Sequence, residues 1–492
     1  MKHYNRKRAL LIGIFSFMSF LGCKDDLEEE TFSFISSKDY YKNASDAEGS
    51  INGIYGSLDD LGLYGRWYFD LLLLTDDQVT IHRNPLFIQM DDFNYDSDHP
   101  YITDLWSASY ATIKYANVSI DRIPAIDMDA GMKNSLIAEA RCIRALMYFN
   151  LVRLWGEVPL VLNEVLDENS VANPKGSIGA IYETIIADLS FASENLPLSR
   201  PSEDFGRMTK GISKTILTDV QLTLGNWQEA AALAKEIIDS GQYSLQTNFQ
   251  DIFTESNELN NEIILSIIFD GVTVGNWAAS FSHAGGTDNA LCFNGAQVWQ
   301  VDVKSDMWLN WDENDLRKQF SLYEDYLSID GTFKSVYDTS RPYPGFGKWN
   351  APNETGVGNC PINPILYRYA DVLLMYAEAS SQANGGPDNE ALNAVNMVRR
   401  RGYGLSINEI SSVDLPQGMD AVSFREAILN ERSHEFVVEA KRLFDLMRTD
   451  QFPQKLIELG KNIRPSAKLF PIPNAELEAN ESLSPSDQNE GY

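Results

Sequence analysis

Cysteine and histidine are scarce in this chain, with four cysteines and five histidines among 492 residues. Cys142, Cys292 and Cys360 follow Cys23, and no Cys-x-x-Cys pair or mixed cysteine and histidine spacing of a zinc site occurs. An odd number of later cysteines does not indicate a disulfide framework. The sequence therefore predicts neither a metal site nor a cofactor.

Positive charge is also in short supply, because 40 lysine and arginine residues stand against 70 aspartate and glutamate residues. The formal net charge is −30, and the acidic residues are spread along the chain rather than collected in blocks. A surface of this sign repels a phosphate backbone. We therefore expect no nucleic-acid partner.

The motifs of common catalytic sites are missing, since no Gly-x-Ser-x-Gly, P-loop or Gly-x-Gly-x-x-Gly segment occurs. The His434-Glu435 pair fails as a zinc-protease motif, because Val438 stands where the second histidine is needed. Asp76-Asp77 is the best candidate acid pair, but adjacent residues on an extended chain point apart, so we interpret the two as a loop start. The chain is predicted not to be an enzyme, although counting carboxylates does not exclude a glycosidase pair.

Long apolar runs are absent as well, and residues 9–21, about thirteen residues, are too few to cross a bilayer as a helix. A basic flank precedes this run, as in an export signal. The run ends at Phe20-Leu21-Gly22-Cys23, which resembles a bacterial lipobox, and the acidic string after Cys23 resembles the surface-export tag of lipoproteins in Gram-negative Bacteroidota. This resemblance implies a lipid on Cys23 and a place on the outer-membrane surface. The alternative is an ordinary secreted protein with a chance cysteine at the boundary.

Helical periodicity dominates the chain after the acidic segment. SDAEGSINGIYGSLDDL places its apolar residues on one stripe and offers Ser45 or Asp46 as a cap. Two segments, which turn at Gly225-Asn226 and at Gly385-Gly386-Pro387, resemble tetratricopeptide helix pairs. One such pair cannot bury its own apolar face, so several must stack. The predicted fold class is mainly α, a tetratricopeptide-like helical repeat scaffold with an irregular, loop-rich second lobe.

An insertion at residues 269–361 interrupts this helical pattern. It is rich in glycine and carries a large share of the nine tryptophans, namely Trp277, Trp299, Trp308, Trp311 and Trp349. Loops held by a rigid scaffold often carry binding residues. The insertion is therefore the predicted location of function, although Trp308 and Trp311 lie in a predicted short helix and favour packing.

Several motifs in fixed order resemble the SusD/RagB family of outer-membrane nutrient-binding lipoproteins: RALMYFNLVRLWGEVPLV, PILYRYADVLLMYAEA, AILNERSHEFVVEAKRLFDLMR and LFPIPNAEL. The resemblance covers essentially the whole mature chain. It departs from the family at Ala440, where glycine is usual. Glu431, Glu435 and Glu439 repeat every fourth residue and are interpreted as ion-pair partners where helices pack.

The resemblance implies a surface receptor that binds oligosaccharide and delivers it to a SusC-like TonB-dependent porin. A peptide or other nutrient receptor on the same scaffold is the main alternative, and a glycoside hydrolase or a pure helical-repeat adaptor ranks below it. A calcium site in DDFNYDSD is a further alternative. The predicted regions are a signal peptide (1–22), an acidic tether (23–38), an N-terminal SusD-like helical region (39–268), the loop-rich aromatic insertion (269–361) and a C-terminal SusD/RagB helical region (362–492).

A sugar ring has an apolar C–H face, which suits an aromatic ring, and a rim of hydroxyls, which suits polar side chains. Two segments offer both kinds of group, one between residues 65 and 101 and the other in the insertion. By region, the family resemblance implies that the ligand binds where these segments meet. The predicted ligand-binding residues are Trp277, Trp299, Phe87, Trp67, Arg83, Asn84, Phe281, His283 and Asn294.

Overall fold

The computed structural model describes residues 40–166, 172–269, 271, 275–287, 289–464 and 468–492. The predicted signal peptide, the predicted lipidation site Cys23 and the predicted acidic tether lie outside these residues. Residues 43–492 form one compact unit, and the regional boundaries given above stay predictions.

Helices dominate this unit, which confirms the predicted fold class. In chain order they are α1 Ala44–Tyr55, α2 Trp67–Leu74, α3 Pro85–Asp91, α4 Pro100–Arg122, α5 Ala130–Trp155, α6 Ile178–Asn195, α7 Lys210–Thr223, α8 Trp227–Asp239, α9 Ala278–Ser282, α10 Asp306–Asn310, α11 Leu316–Ser321, α12 Tyr369–Asn384, α13 Asn389–Gly402, α14 Ala421–Glu435, α15 Arg442–Arg448, α16 Gln454–Glu458 and α17 Asn474–Ala479.

Local sequence explains where these helices begin and end. In α1 the predicted apolar stripe is fully buried. Its cap is Asn43, not the predicted Ser45 or Asp46, because the Asn43 side chain accepts hydrogen bonds from both of their backbone N–H groups. Asp46 in turn accepts from the Asn43 N–H, which completes a capping box. Helix α5 ends at Gly156, whose φ of 71° favours glycine.

The long helices stack in chain order, each packing against the next from α4 to α8. Helix α8 then packs against α12, and α12 contacts α13 and α14. The two predicted tetratricopeptide-like units are therefore neighbours in space, although the insertion separates them in sequence. In the part of the chain that the structure describes, no helix combines the length and apolar character that spanning a membrane requires.

The strands are short and pair in twos. They are β1 Val79–Thr80, β2 Ile263–Ser266, β3 Gln300–Val301, β4 Leu322–Tyr323, β5 Asp325–Leu327, β6 Phe333–Ser335, β7 Gly345–Phe346 and β8 Ile365–Arg368. The antiparallel pair β2–β8 joins the two ends of the insertion, with the Ile267 N–H donating to Pro364 O at 3.0 Å. This pair lets the insertion leave the helical stack and return to it at one place.

A buried network of charges fastens this junction to the C-terminal helices. Arg368, at the end of β8, binds Glu262, Glu435 and Glu439, and all four side chains are buried. The predicted ion-pairing role of the glutamates is confirmed, but α14 ends at Glu435, so Glu439 lies in the turn that follows. In that turn Ala440 has a φ of 56°, which explains why glycine is favoured there.

Candidate ligand-binding site

The two predicted binding segments are in contact. Strand β1 pairs antiparallel with β3, with Val79 opposite Val301 and Thr80 opposite Gln300. In addition, the backbone N–H of Trp277 donates to Gly65 O at 3.3 Å. The segment between residues 65 and 101 and the insertion therefore share one surface.

Arg66 lies at the centre of an aromatic cluster built from both segments. Its guanidinium carbon is 4.0 Å from the ring centroid of Trp67, 4.5 Å from that of Trp277 and 4.6 Å from that of Phe281. These distances permit cation–π attraction. The Arg66 Nε donates to Asp70 Oδ2 at 3.3 Å, which fixes the position of the guanidinium among the rings.

Four of the predicted ligand residues pack beneath this surface rather than on it. Trp299, Phe281, Phe87 and His283 are each at most 3% exposed. The Trp299 indole N–H donates to Asp70 at 2.8 Å. Because buried rings present no face to a ligand, this placement corrects the prediction that these side chains contact one directly.

His283 is held from two sides inside the insertion. One ring nitrogen lies 3.0 Å from the Tyr323 hydroxyl and the other 3.1 Å from Trp349 O. Burial lowers the pKa of His283 to about 4, so the ring is neutral at neutral pH. Its role is to connect parts of the insertion core.

The outer part of the same region is open to solvent. We call it the site edge and define it by side chains that are exposed or half-buried. Trp67 lies just below it, 9% exposed and stacked on Tyr101 with ring centroids 3.7 Å apart. The prediction that Trp277, Arg83, Asn84 and Asn294 contact a ligand stays a prediction. The site edge consists of Arg66, His82, Arg83, Asn84, Tyr101, Trp277, Phe293, Asn294, Arg341 and Tyr343.

Left-handed backbone conformations concentrate near the site edge. Asn84 and Asn294 have φ values of 65° and 51°, and Asn289 and Gln297 nearby in sequence have 58° and 43°. Such conformations are uncommon outside glycine and are found preferentially at functional sites. Asn84 also accepts a hydrogen bond from the Leu86 N–H, which begins α3.

A buried carboxylate organises the loops behind the edge. Glu354 accepts hydrogen bonds from the Ser280 hydroxyl at 3.1 Å and from the Phe293 N–H at 2.9 Å. Burial raises the pKa of Glu354 to about 7. It therefore links two stretches of the insertion through hydrogen bonds to neutral groups.

Several edge residues escaped the sequence-based prediction. Arg66 precedes the predicted Trp67 in the sequence, and Tyr101 stacks on its ring in the structure. Arg341 and Tyr343 belong to the Pro- and Gly-rich part of the insertion. The centroid of the Tyr343 ring lies 4.8 Å from that of the His82 ring, although the two residues are 261 positions apart in the sequence. The sequence offers no signal for a contact of that separation.

The candidate acid pair Asp76-Asp77 is structural. Asp77 binds the Arg442 guanidinium through both carboxylate oxygens, each at 2.7 Å. Asp76 Oδ1 accepts from the N–H groups of Gln78 and Val79, which confirms the loop-start interpretation. Among the described residues, no three His, Cys, Asp or Glu side chains are grouped as metal ligands.

Replacing Asp76 with asparagine is expected to change the pH dependence of stability. Burial, with the neighbouring Asp77, raises the pKa of Asp76 from 3.8 to about 8. Between these values the folded state binds more protons than the unfolded state, so this group's contribution to stability falls as pH rises. Asp76→Asn keeps the Oδ1 acceptor but cannot ionise. The free energy of unfolding of the variant, relative to that of the wild type, should therefore be at least about 2 kcal/mol higher at pH 8 than at pH 4.

Urea unfolding at several pH values measures this difference between variant and wild type. Asp77→Asn is the matched control, because it weakens the bond to Arg442 and should destabilise the protein. A difference between Asp76→Asn and wild type that stays constant from pH 4 to pH 8 would contradict the prediction.

Comparisons with known proteins agree along the whole chain. A protein-family model described as SusD family matches residues 265–492. A second family model, described as starch-binding associating with outer membrane, matches residues 28–222. The chain is 28% identical to a SusD-like protein of Formosa agariphila, over 98% of this chain and 99% of that protein.

Solved structures give the same result. A SusD homolog from Bacteroides thetaiotaomicron has a TM-score of 0.83 at 26% identity, covering 94% of this chain and 100% of that chain. A laminarin-binding SusD-like protein shares the fold, with a TM-score of 0.76 at 24% identity and coverage of 92% and 100%. These matches, with the helical stack and the motifs that build its charge network, show that the chain is a member of the SusD/RagB family.

Proposed function

We propose that this chain is a cell-surface receptor that binds an oligosaccharide and does not act on it chemically. The observation that carries the proposal is the site edge, where half-buried aromatic rings adjoin exposed polar side chains. A SusD-like protein of the same fold is named as laminarin-binding, and one matching family model is described as starch-binding. The SusD/RagB family consists of binding proteins rather than enzymes.

Sugar binding would use the two kinds of group on the edge separately. The half-buried rings of Trp277 and Tyr101 offer flat surfaces for the C–H face of a sugar. Asn84 and Asn294 bring amide donors and acceptors for its hydroxyls. Since water competes for each hydroxyl and a flexible chain loses freedom on binding, the affinity should be modest.

Delivery completes the proposal. The receptor is anchored to the outer membrane through a lipid on Cys23, and it passes its ligand to a SusC-like TonB-dependent porin. The support is the lipobox-like sequence at Cys23 and the matching family model that is described as associating with the outer membrane. Labelling of Cys23 by a radioactive fatty acid, lost in Cys23→Ala, would test the anchor.

Calorimetry against a panel of neutral and acidic oligosaccharides tests the binding function. Trp277→Ala should weaken binding about tenfold, because it removes one stacking face. Trp227→Ala is the matched control, since Trp227 is also half-buried but lies on α8, where it packs against Leu222 and Ala230. Binding to a peptide digest and to no glycan would replace this proposal with the peptide-receptor alternative.

A further inference from the structure

Nearly every arginine that the structure describes is paired with a carboxylate. Among the arginines that the structure describes, only Arg83, Arg341 and Arg464 have no carboxylate oxygen within 4.0 Å of a side-chain nitrogen. With 70 acidic residues available, an unpaired guanidinium is an exception that calls for a reason. Two of the three exceptions lie together on the site edge.

Arg83 and Arg341 are held on one short stretch of backbone. The Arg341 Nη1 donates to Gly295 O at 2.7 Å, and the Arg83 Nη2 contacts Ala296 O. Two guanidiniums on adjacent carbonyls repel each other, and burial together with the charge of Arg83 accordingly lowers the pKa of Arg341. The fold therefore keeps two like charges close together without neutralising either.

The backbone that holds them is rigidly built. A Cβ atom on Gly295 would lie 2.2 Å from His283 O and 2.9 Å from Ala284 O, so only glycine fits. The next residue, Ala296, donates its N–H to Ser280 O at 2.5 Å. The carbonyls that carry the two guanidiniums are thus fixed by the insertion core.

Each guanidinium has five N–H donors, and carbonyl bonding uses only part of them. Arg83 is exposed and Arg341 is half-buried, so the remaining donors are open to a ligand. The planar guanidinium presents parallel N–H groups that match two oxygens of a carboxylate or a sulfate. The negative charge of such a group would also relieve the repulsion between the two cations. Neutral sugar hydroxyls would leave that repulsion in place.

We propose that Arg83 and Arg341 together bind an anionic group on the glycan, either the carboxylate of a uronic acid or a sulfate ester. This inference rests on the proposed function and narrows its ligand class. Since the net charge of −30 repels anions elsewhere on the surface, the arginine pair also directs an acidic chain to the site edge.

Calorimetry of the full chain at about 0.15 M salt tests the proposal. The probes are oligogalacturonate for the carboxylate, carrageenan oligosaccharide for the sulfate, and laminarin oligosaccharide of similar length as the neutral comparison. At least one acidic probe should bind about tenfold more tightly than the neutral one. Which acidic probe binds tells the two anionic groups apart.

Variants then locate the charge effect. Arg83→Gln and the double variant R83Q/R341Q should each weaken acidic binding about tenfold or more, and should weaken neutral binding by a clearly smaller factor. Arg464→Gln is the matched control, because Arg464 is also exposed, lacks a carboxylate within 4.0 Å and is bonded to a backbone carbonyl, that of Gly491. It removes the same charge and should change nothing. Because Arg83 is exposed, R83Q alone still tests the proposal if the double variant lowers the melting temperature.

Three results would overturn the proposal. Tighter binding of the neutral probe would reject the anionic ligand and leave the glycan-receptor function standing. Acidic binding that neither R83Q nor R83Q/R341Q changes would place the anion elsewhere. Binding of none of the three probes, nor of any glycan in the wider panel, would reject the receptor function itself.

Discussion

Replacing Arg368 with methionine is expected to remove about 5 kcal/mol or more from the free energy of unfolding. Arg368 is fully buried, and its Nε donates to Glu439 at 2.9 Å while its Nη1 donates to Glu262 at 2.9 Å. Its Nη1 also contacts the Glu435 carboxylate. Methionine has similar bulk but no charge, so three buried carboxylates would lose a partner at once.

The loss should be large because removing one partner of a buried ion pair leaves the other charge both desolvated and uncompensated. Arg317 and Arg401 also contact Glu435, and Lys348 also contacts Glu439. Part of the positive charge that compensates these carboxylates therefore remains in the variant. The change nevertheless weakens the point where β8, the start of β2 and α14 meet. We expect the insertion and the helical stack to lose their shared anchor.

Urea unfolding followed by far-UV circular dichroism measures the effect. Lys235→Met is the matched control, because Lys235 is 39% exposed and its partner Asp239 is 59% exposed. A surface pair of this kind contributes less than about 1 kcal/mol. Arg368→Lys keeps the charge without the planar fork and should fall between the two. Stability of Arg368→Met within about 1 kcal/mol of wild type would show that the network does not stabilise the fold.

Trp299→Ala is expected to lower the free energy of unfolding by about 3–5 kcal/mol. The ring is 2% exposed and lies against Phe281, with centroids 6.0 Å apart. Its removal leaves a cavity that the surrounding insertion can fill only partly. The substitution also removes the indole N–H that donates to Asp70. Asp70 is a buried carboxylate, and burial raises its pKa to about 7.

Trp299→Phe separates the two contributions, since it keeps most of the ring volume and loses only the hydrogen bond. It should cost about 1–3 kcal/mol. Trp308→Ala is the control, because Trp308 lies half-buried on the short helix α10 and should cost clearly less. A Trp299→Ala variant that kept wild-type stability and lost glycan binding would restore the original prediction of direct contact.

Helices were predictable because their signals are local. Apolar spacing gave the buried stripe of α1, and Gly156 marked the end of α5. The short helix at Trp308 and the loop start at Asp76 were predictable for the same reason. The error at the first cap, where Asn43 acts in place of the predicted Ser45 or Asp46, is a shift of two or three residues at the start of a correctly predicted helix.

Aromatic roles in the insertion were not predictable in this way. The insertion has few residues in long helices, so its backbone gains little from regular packing and its aromatic side chains form a core instead. Trp299, Trp349, Phe281 and Phe346 are among the largest fully buried side chains of the chain. A tryptophan in a loop-rich sequence therefore indicates packing as readily as binding.

The helical class, the family motifs and the acidic surface were predictable from the amino-acid sequence alone, because periodicity, spacing and charge can be read residue by residue. The folded structure was needed to find which aromatic rings stay at the surface, which glutamates bind Arg368, and that Arg83 and Arg341 lie together without a carboxylate. Burial and ion pairing depend on residues that are far apart in the chain, such as Glu262 and Arg368 at a separation of 106 positions. Only the folded chain brings such groups within reach of one another.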